Sequence, residues 1–308
     1  MKDLKNKLTE RLRRKKLRRR NAKAWERDKI APFVERLLTR TEVAETSSPE
    51  RLAEVAFDLY RRERKSIRRV KKETAKSHVS AQFEHFLSEV QGGHSPISGA
   101  DGITIIDAYN KFLGHAGTFN DAGMTVGTHF GISSSFAHKG RLLYNAVKVF
   151  RPRTLLEVGT AYGMSTAFLL SACERYRNDA HLHTIEPMEP QFSLACQFLE
   201  TTFPGRVDCH KGTSDSRIPA IVDLVESVDL VFHDAAHDGS IYVSDFEKIL
   251  PSLDTGSILL LDDIRWYDKR IVSSDPGCYS GWRDIVSRRE VACAAEIGPD
   301  IGVAVIGR

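Results

Sequence analysis

The sequence predicts an α/β protein: a doubly wound sheet of five parallel strands plus a C-terminal antiparallel hairpin, preceded by an N-terminal helical extension. Three observations lead there. From about Leu142 onward, short apolar runs alternate with helical segments, the pattern of a parallel sheet covered on both faces. The last two strand candidates are joined by only 297–301, too short for a crossover, so they pair as a hairpin. The first 76 residues lack this alternation and read as charged helix.

Taken in order, the strand candidates are 154–158, 182–186, 206–210, 229–233, 257–262, 291–296 and 302–306. Helical segments at 165–176, 190–201, 218–225, 242–250 and 282–288 separate the first six. Upstream, Leu4, Leu8 and Leu12 repeat every fourth residue beside the basic run 11–20, a narrow apolar stripe on a charged helix. Ser48-Pro49-Glu50 is a helix start with proline at the first helical position, and the helix is expected to run to about Lys76. A third helix is expected over 81–90, before the loop signals Gly92-Gly93 and Ser95-Pro96. Residues 110–140 are rich in Gly, Ser, Thr and His without periodicity, and so long a loop reads as an active-site lid. His115, His129 and His138 within it are read as loop polarity rather than acceptor contacts. The expected organisation is therefore a basic helical region over 1–110, a lid over 111–140 and an α/β domain over 141–308.

Composition narrows the class. Apolar residues make up 41% and charged residues 28% of the chain, and no apolar run is long enough for a membrane span. Five cysteines (Cys173, Cys196, Cys209, Cys278 and Cys293) are scattered without C-x-x-C spacing, which argues against disulfides or a zinc finger and for a reducing, cytoplasmic setting. The net charge of +4 is uneven: 26 Lys+Arg face 12 Asp+Glu in residues 1–76, a net of +14, and the remainder carries −10. Such polarity points to an anionic partner or to docking of one part on the other. Homo-oligomerisation through the N-terminal helices is expected.

The stretch LLEVGTAYGMST follows the first strand candidate and opens a helix. Gly159 and Gly163 let the backbone turn tightly beside a ligand, and the helix N-terminus offers unpaired N–H groups. Ser165 can hydrogen-bond a ligand carboxylate there. The spacing G-x-x-x-G departs from the dinucleotide fingerprint G-x-G-x-x-G, so a pyrophosphate ligand is disfavoured. Glu186 ends the second strand candidate where a ribose would lie and can accept from both hydroxyls. The turn Gly212-Thr213-Ser214-Asp215 follows the third, placing Ser214 and Asp215 to contact an adenine. Together these strand ends indicate a nucleoside cofactor.

A second constellation lies at the ends of the fourth and fifth strand candidates, which are neighbours in such a sheet. Asp234, Asp262 and Asp263 would repel one another unless a cation neutralised them, and all-oxygen ligation points to Mg²⁺. Two hydroxyls of a diol could take its open positions. His237, three residues after Asp234, is suited to removing a hydroxyl proton because an imidazole titrates near neutral pH. His233 alternates away from Asp234 and reads as structural. Trp266 and Tyr267 could wall the acceptor.

These motifs, KGRLLYNAVKVFRPRTLLEVGTAYGMS, HTIEP, GTSDSRIPAI, DLVFHDAAHD and LLLDDI, resemble the class I S-adenosylmethionine-dependent methyltransferases, in particular the metal-dependent catechol O-methyltransferase type. The resemblance covers roughly residues 130–308. It implies a Rossmann-like methyltransferase sheet that binds S-adenosylmethionine along Glu157, Gly159, Gly163 and Ser165, with Glu186 on the ribose and Ser214 and Asp215 on the adenine. It implies Asp234, Asp262 and Asp263 as Mg²⁺ ligands. Asp263 stands where catechol enzymes carry Asn, and His237 where they carry a catalytic Lys. An Asp-x-x-His followed by a paired acid is closer to macrolide-sugar O-methyltransferases, which implies a sugar diol and a histidine base. The expected activity is Mg²⁺-dependent O-methylation of a small-molecule sugar or phenolic diol, in natural-product biosynthesis. The alternative is RNA methylation using the basic arm. Against it, the arm has few aromatics and the fourth strand lacks the Asn-Pro-Pro-aromatic motif of base N-methyltransferases.

Overall fold

The computed structural model describes residues 66–72, 77–92, 138–189, 191–235, 237–265, 277–298 and 300–307. In chain order the elements are β1 (Ile67–Lys72), α1 (Ser77–Gly92), α2 (His138–Phe150), β2 (Thr154–Val158), α3 (Met164–Tyr176), β3 (His181–Glu186), α4 (Gln191–Thr202), β4 (Val207–Lys211), α5 (Ser214–Leu224), β5 (Val228–His233), α6 (Gly239–Ile249), β6 (Leu253–Leu261), α7 (Gly277–Ser287), β7 (Val291–Ile297) and β8 (Ile301–Ile306). They belong to one unit, 64–112 with 135–308; the other, 1–63 with 113–134, lies outside the described residues. The expected first helix, most of the expected second, most of the lid, and Trp266 and Tyr267 also lie outside them.

The eight strands form one sheet in the order β1-β7-β8-β6-β5-β2-β3-β4. β2 through β6 are mutually parallel, and β7 and β8 pair antiparallel as the expected hairpin. The predicted doubly wound fold is therefore the one the chain forms. Its central parallel strands β2, β5 and β6 are apolar because both faces are covered: Leu155, Leu156, Leu230, Val231, Leu259 and Leu260 are all buried. The order reverses between β2 and β5, so their C-terminal ends open the crevice where such sheets bind ligands.

Two expectations are corrected. The basic segment near Lys76 was expected to continue a helix, but residues 67–72 form β1, antiparallel to β7. Tertiary pairing decides this. Ile67 and Val70 are β-branched and suit a strand. Arg68 reaches the buried Glu296 at 2.7 Å, and Arg69 pairs with Glu84 on α1 at 2.5 Å. Positive side chains are also usual on the outermost strand of a sheet, where they discourage further pairing. The second correction concerns Ser214 and Asp215, expected in a turn. They open α5, with Thr213 as an extended N-cap residue and Asp215 in the first turn, where an acid favours the helix dipole.

Helix α2 brings a further group to the sheet edge. A Cβ on Gly140 would meet the Phe168 ring of α3 at 2.8 Å, so glycine lets the first turn of α2 press against α3. That close approach carries the neighbouring Lys139 inward, where it is 8% exposed.

Candidate active site

The loop after β2 is held by its own backbone and by two buried acids. Gly159 (φ +100°), Ala161 (+45°) and Gly163 (+79°) all adopt left-handed conformations. A Cβ on Gly159 would lie 2.3 Å from the Asp234 carbonyl oxygen, so only glycine fits between β2 and the loop after β5. Gly159 and Thr160 both donate their N–H groups to Ile185 O, at 3.0 and 3.1 Å. Glu186 sits at the end of β3 as expected and accepts from Ala161 N at 2.7 Å and Met188 N at 2.9 Å. Burial pushes its carboxyl pKa up, and the two amide N–H groups partly offset this. Glu186 thus shapes the loop and remains beside it. Gly163 caps α3 without any side-chain hydrogen bond, so the first-turn amides have no side chain serving them.

Glu157 and Ser165 face each other. Glu157 has no solvent exposure and accepts from Ser165 Oγ at 2.5 Å, from Thr184 Oγ1 at 2.7 Å and from Thr166 Oγ1. Burial pushes its carboxyl up to about 7 against those hydroxyls, with the Asp234 charge adding to the rise. The Ser165 hydroxyl, expected to meet a ligand carboxylate, donates to Glu157 in this structure. Ser214 lies near Asp245 and helps hold its pKa down, and the exposed Asp215 carboxylate lies 2.9 Å from Lys248 Nζ. The structure keeps these two at the end of β4 but engages their side chains with α6.

Across the switch point, the loops after β5 and β6 bring Asp234, His237 and Asp263 together. One ligand atom from each lies within 4.8 Å of the others, an arrangement that could hold a metal ion. Asp234 is fixed by its N–H on Val158 O at 2.8 Å, and His237 by its N–H on Ala235 O at 2.8 Å. His237 Nδ1 lies 3.8 Å from Asp263 Oδ2. Both His237 (φ +38°) and Asp263 (+49°) hold left-handed backbones, strain of the kind that persists where surroundings over-determine it.

Asp262, the third aspartate of the expected cation set, also lies at this edge and meets a lysine. Its carboxylate is completely buried and contacts Lys139 Nζ directly, and the same ammonium lies 3.6 Å from Asp234 Oδ2. Its backbone is pinned by its own N–H on His233 O at 2.9 Å and by the Tyr242 hydroxyl on its carbonyl at 2.8 Å. Sequence reasoning did not single out Lys139: one lysine at the start of an amphipathic helix carries no local signal. His233 is structural as expected, buried with Nε2 3.0 Å from Asp245 Oδ2.

Known proteins resemble this chain in sequence over one segment and in fold. Residues 156–264 match the family profile described as a methyltransferase domain. Over those residues the chain is similar to that methyltransferase family. The class I resemblance read from the motifs is borne out by that match and by the fold. The O-methyltransferase TomG from Streptomyces achromogenes, involved in tomaymycin synthesis and solved with S-adenosylmethionine, superposes with a TM-score of 0.51 at 21% identity, over 66% of this chain and 90% of TomG. The Podospora anserina methyltransferase PaMTH1, bound to S-adenosylhomocysteine, superposes with a TM-score of 0.52 at 14% identity, over 78% of this chain and all of that one (100%). No curated protein matches the chain in sequence. The matched domain runs from β2 through the loop after β6, and so contains the glycine loop, Glu186 and all three aspartates of the acidic edge. Lys139 lies outside it. Among the described residues, no helix is long and apolar enough to cross a membrane.

Proposed function

We propose that the chain is an S-adenosylmethionine-dependent O-methyltransferase that methylates a hydroxyl of a small molecule, a sugar or phenolic diol, with a divalent cation, Mg²⁺, at the acidic edge. The observation that carries this reading is the convergence of Asp234, His237 and Asp263, one strand over from the glycine loop. The kinship in fold with enzymes such as TomG, which serves tomaymycin synthesis, supports a natural-product acceptor.

The charges support the cation. Asp234, Asp262 and Asp263 formally carry −3, and Lys139 returns +1. The remaining −2 at a largely buried edge is what a divalent ion neutralises. Asp234 and Asp263 would hold the ion, with Asp262 beside them holding Lys139. When bound, such a cation supplies Lewis-acid polarisation of a hydroxyl oxygen and S-adenosylmethionine supplies the electrophilic methyl group. The chain's own groups do the rest. The loop 159–163 and the uncapped start of α3 hold the cofactor, and Glu186 lies beside its ribose. Glu157 fixes the loop from beneath through three hydroxyls. His237, with Nδ1 towards Asp263, takes the acceptor proton at Nε2. Alignment across the crevice provides most of the rate.

The test is methyl transfer from radiolabelled S-adenosylmethionine to a panel of sugar and phenolic diols. Activity is expected with Mg²⁺, to be lost in EDTA and restored by added Mg²⁺. His237→Ala should lower kcat by about 10²-fold. Full activity in EDTA removes the cation from the reading, and an unchanged rate in the alanine variant removes the base.

A further inference from the structure

A second cluster of donors lies on β3 and β4, the strand pair that ends the sheet. Alternation along a strand puts His181 and His183 on one side of β3, and Asp208 and His210 on one side of β4. The register sets His183 opposite Asp208, so all four side chains share a face. His181 Nε2 lies 3.0 Å from Asp208 Oδ2, and His183 Nδ1 lies 3.7 Å from the same oxygen. His183 Nδ1 is also 3.1 Å from His210 Nε2. The donor atoms of His181, His183 and Asp208 all lie within 4.8 Å of one another.

We propose that His181, His183 and Asp208, with His210 as a fourth donor, form a binding site for a zinc-class transition-metal ion. Four-coordinate zinc, with bonds of roughly 2.0–2.2 Å, sets neighbouring donors about 3.3 Å apart. The three measured separations bracket that value. Three imidazoles and one carboxylate select zinc, nickel or copper over magnesium, which sets this site chemically apart from the acidic edge. The inner ligand, His183, is 4% exposed and already turned towards Asp208 and His210. His181 and Asp208 stay partly exposed and give an ion a path in. The site is also distant along the strand from methyl transfer: His181 opens β3, and Glu186 closes it. A metal there would clip the outermost strand to its neighbour, a place where sheets are otherwise vulnerable.

The experiment uses the full chain without an affinity tag and titrates Zn²⁺ against a chromophoric chelator in excess Mg²⁺. Wild type, His181→Gln, Asp208→Asn and Asp263→Asn are compared, and the melting temperature is read with and without Zn²⁺. One Zn²⁺ per chain is expected, together with a rise in melting temperature. His181→Gln and Asp208→Asn, both partly exposed positions, should each weaken binding at least about 10-fold, a loss near 1.4 kcal/mol, while Asp263→Asn keeps it. Binding that survives both ligand variants, that falls with Asp263→Asn, or that is absent from wild type overturns the proposal. None of these readouts depends on methyl transfer, so failure here is separate from failure of the enzymatic reading.

Discussion

At Glu157 a carboxylate without solvent exposure accepts hydrogen bonds from Ser165, Thr166 and Thr184, and so ties β2 to α3 and β3. Its pKa, raised to about 7 by burial, makes the fold sensitive to pH. In the folded state the group keeps its proton up to about pH 7, whereas in the unfolded chain it loses the proton near pH 4.5. The contribution is thus fully present below 4.5, shrinks as pH rises, and is gone above about 7; its full size is on the order of 3 kcal/mol. Glu157→Gln should flatten the fall in melting temperature between those two pH values, and an unchanged slope would mean the carboxyl is ionised throughout. At this scale the sequence was readable where a residue sits at a strand end beside a glycine loop, as Gly159, Glu186 and Asp234 do. Lys139 was not readable, because its partners are 95 and 123 residues away and only the fold brings them close. The histidine cluster did leave a signal, His181-x-His183 and Asp208-x-His210. Each is a same-face pair on a strand, but their meeting depends on β3 and β4 being neighbours in register.

Among the elements, β1 shows how pairing can override local character. Its arginine-rich sequence has no strand alternation to advertise it, yet it completes the sheet beside β7 through Arg68 and Glu296. Glu296 is buried inside β7 and also meets Arg265, Tyr279 and Trp282. Burial alone would push its pKa up, but Arg68 and Arg265 outweigh that and hold it below the ordinary carboxylate value. This stabilisation is present above the unfolded carboxyl pKa and is lost as pH falls through the lowered value. Arg68 is more than half exposed, so the pair contributes about 1 kcal/mol or less. Arg68→Ala should lower stability by that amount at pH 7 in denaturant titration, with little difference from wild type once the carboxylate is protonated. An equal loss at both pH values would mean that packing, not charge, docks β1. By contrast, the central strands β2, β5 and β6 were legible as short apolar runs between helical segments, buried on both faces. Helix starts such as Ser214 and Gly239 lay three to four residues earlier than apolar spacing indicated; at Gly239 the cause is Asp238, whose side chain caps the helix by accepting from Ser240 N and Ile241 N before the apolar face begins.

For the whole molecule, topology does the positioning. The reversal of strand order between β2 and β5 places the glycine loop on one side of a crevice and the acidic edge on the other. Both were readable as motifs, and their facing each other follows from the strand order alone. What the motifs did not convey is how the charge is shared: Lys139 takes Asp262, while Asp234 and Asp263 lie beside His237. The account rests first on the cofactor, since without it the acidic edge has no methyl group to direct. Isothermal titration of the full chain with S-adenosylhomocysteine tests that most directly. The account predicts one molecule bound per chain, with affinity reduced at least about 10-fold by Gly159→Ala, whose added methyl group would press on the Asp234 carbonyl. Absence of binding to the wild-type chain would contradict it.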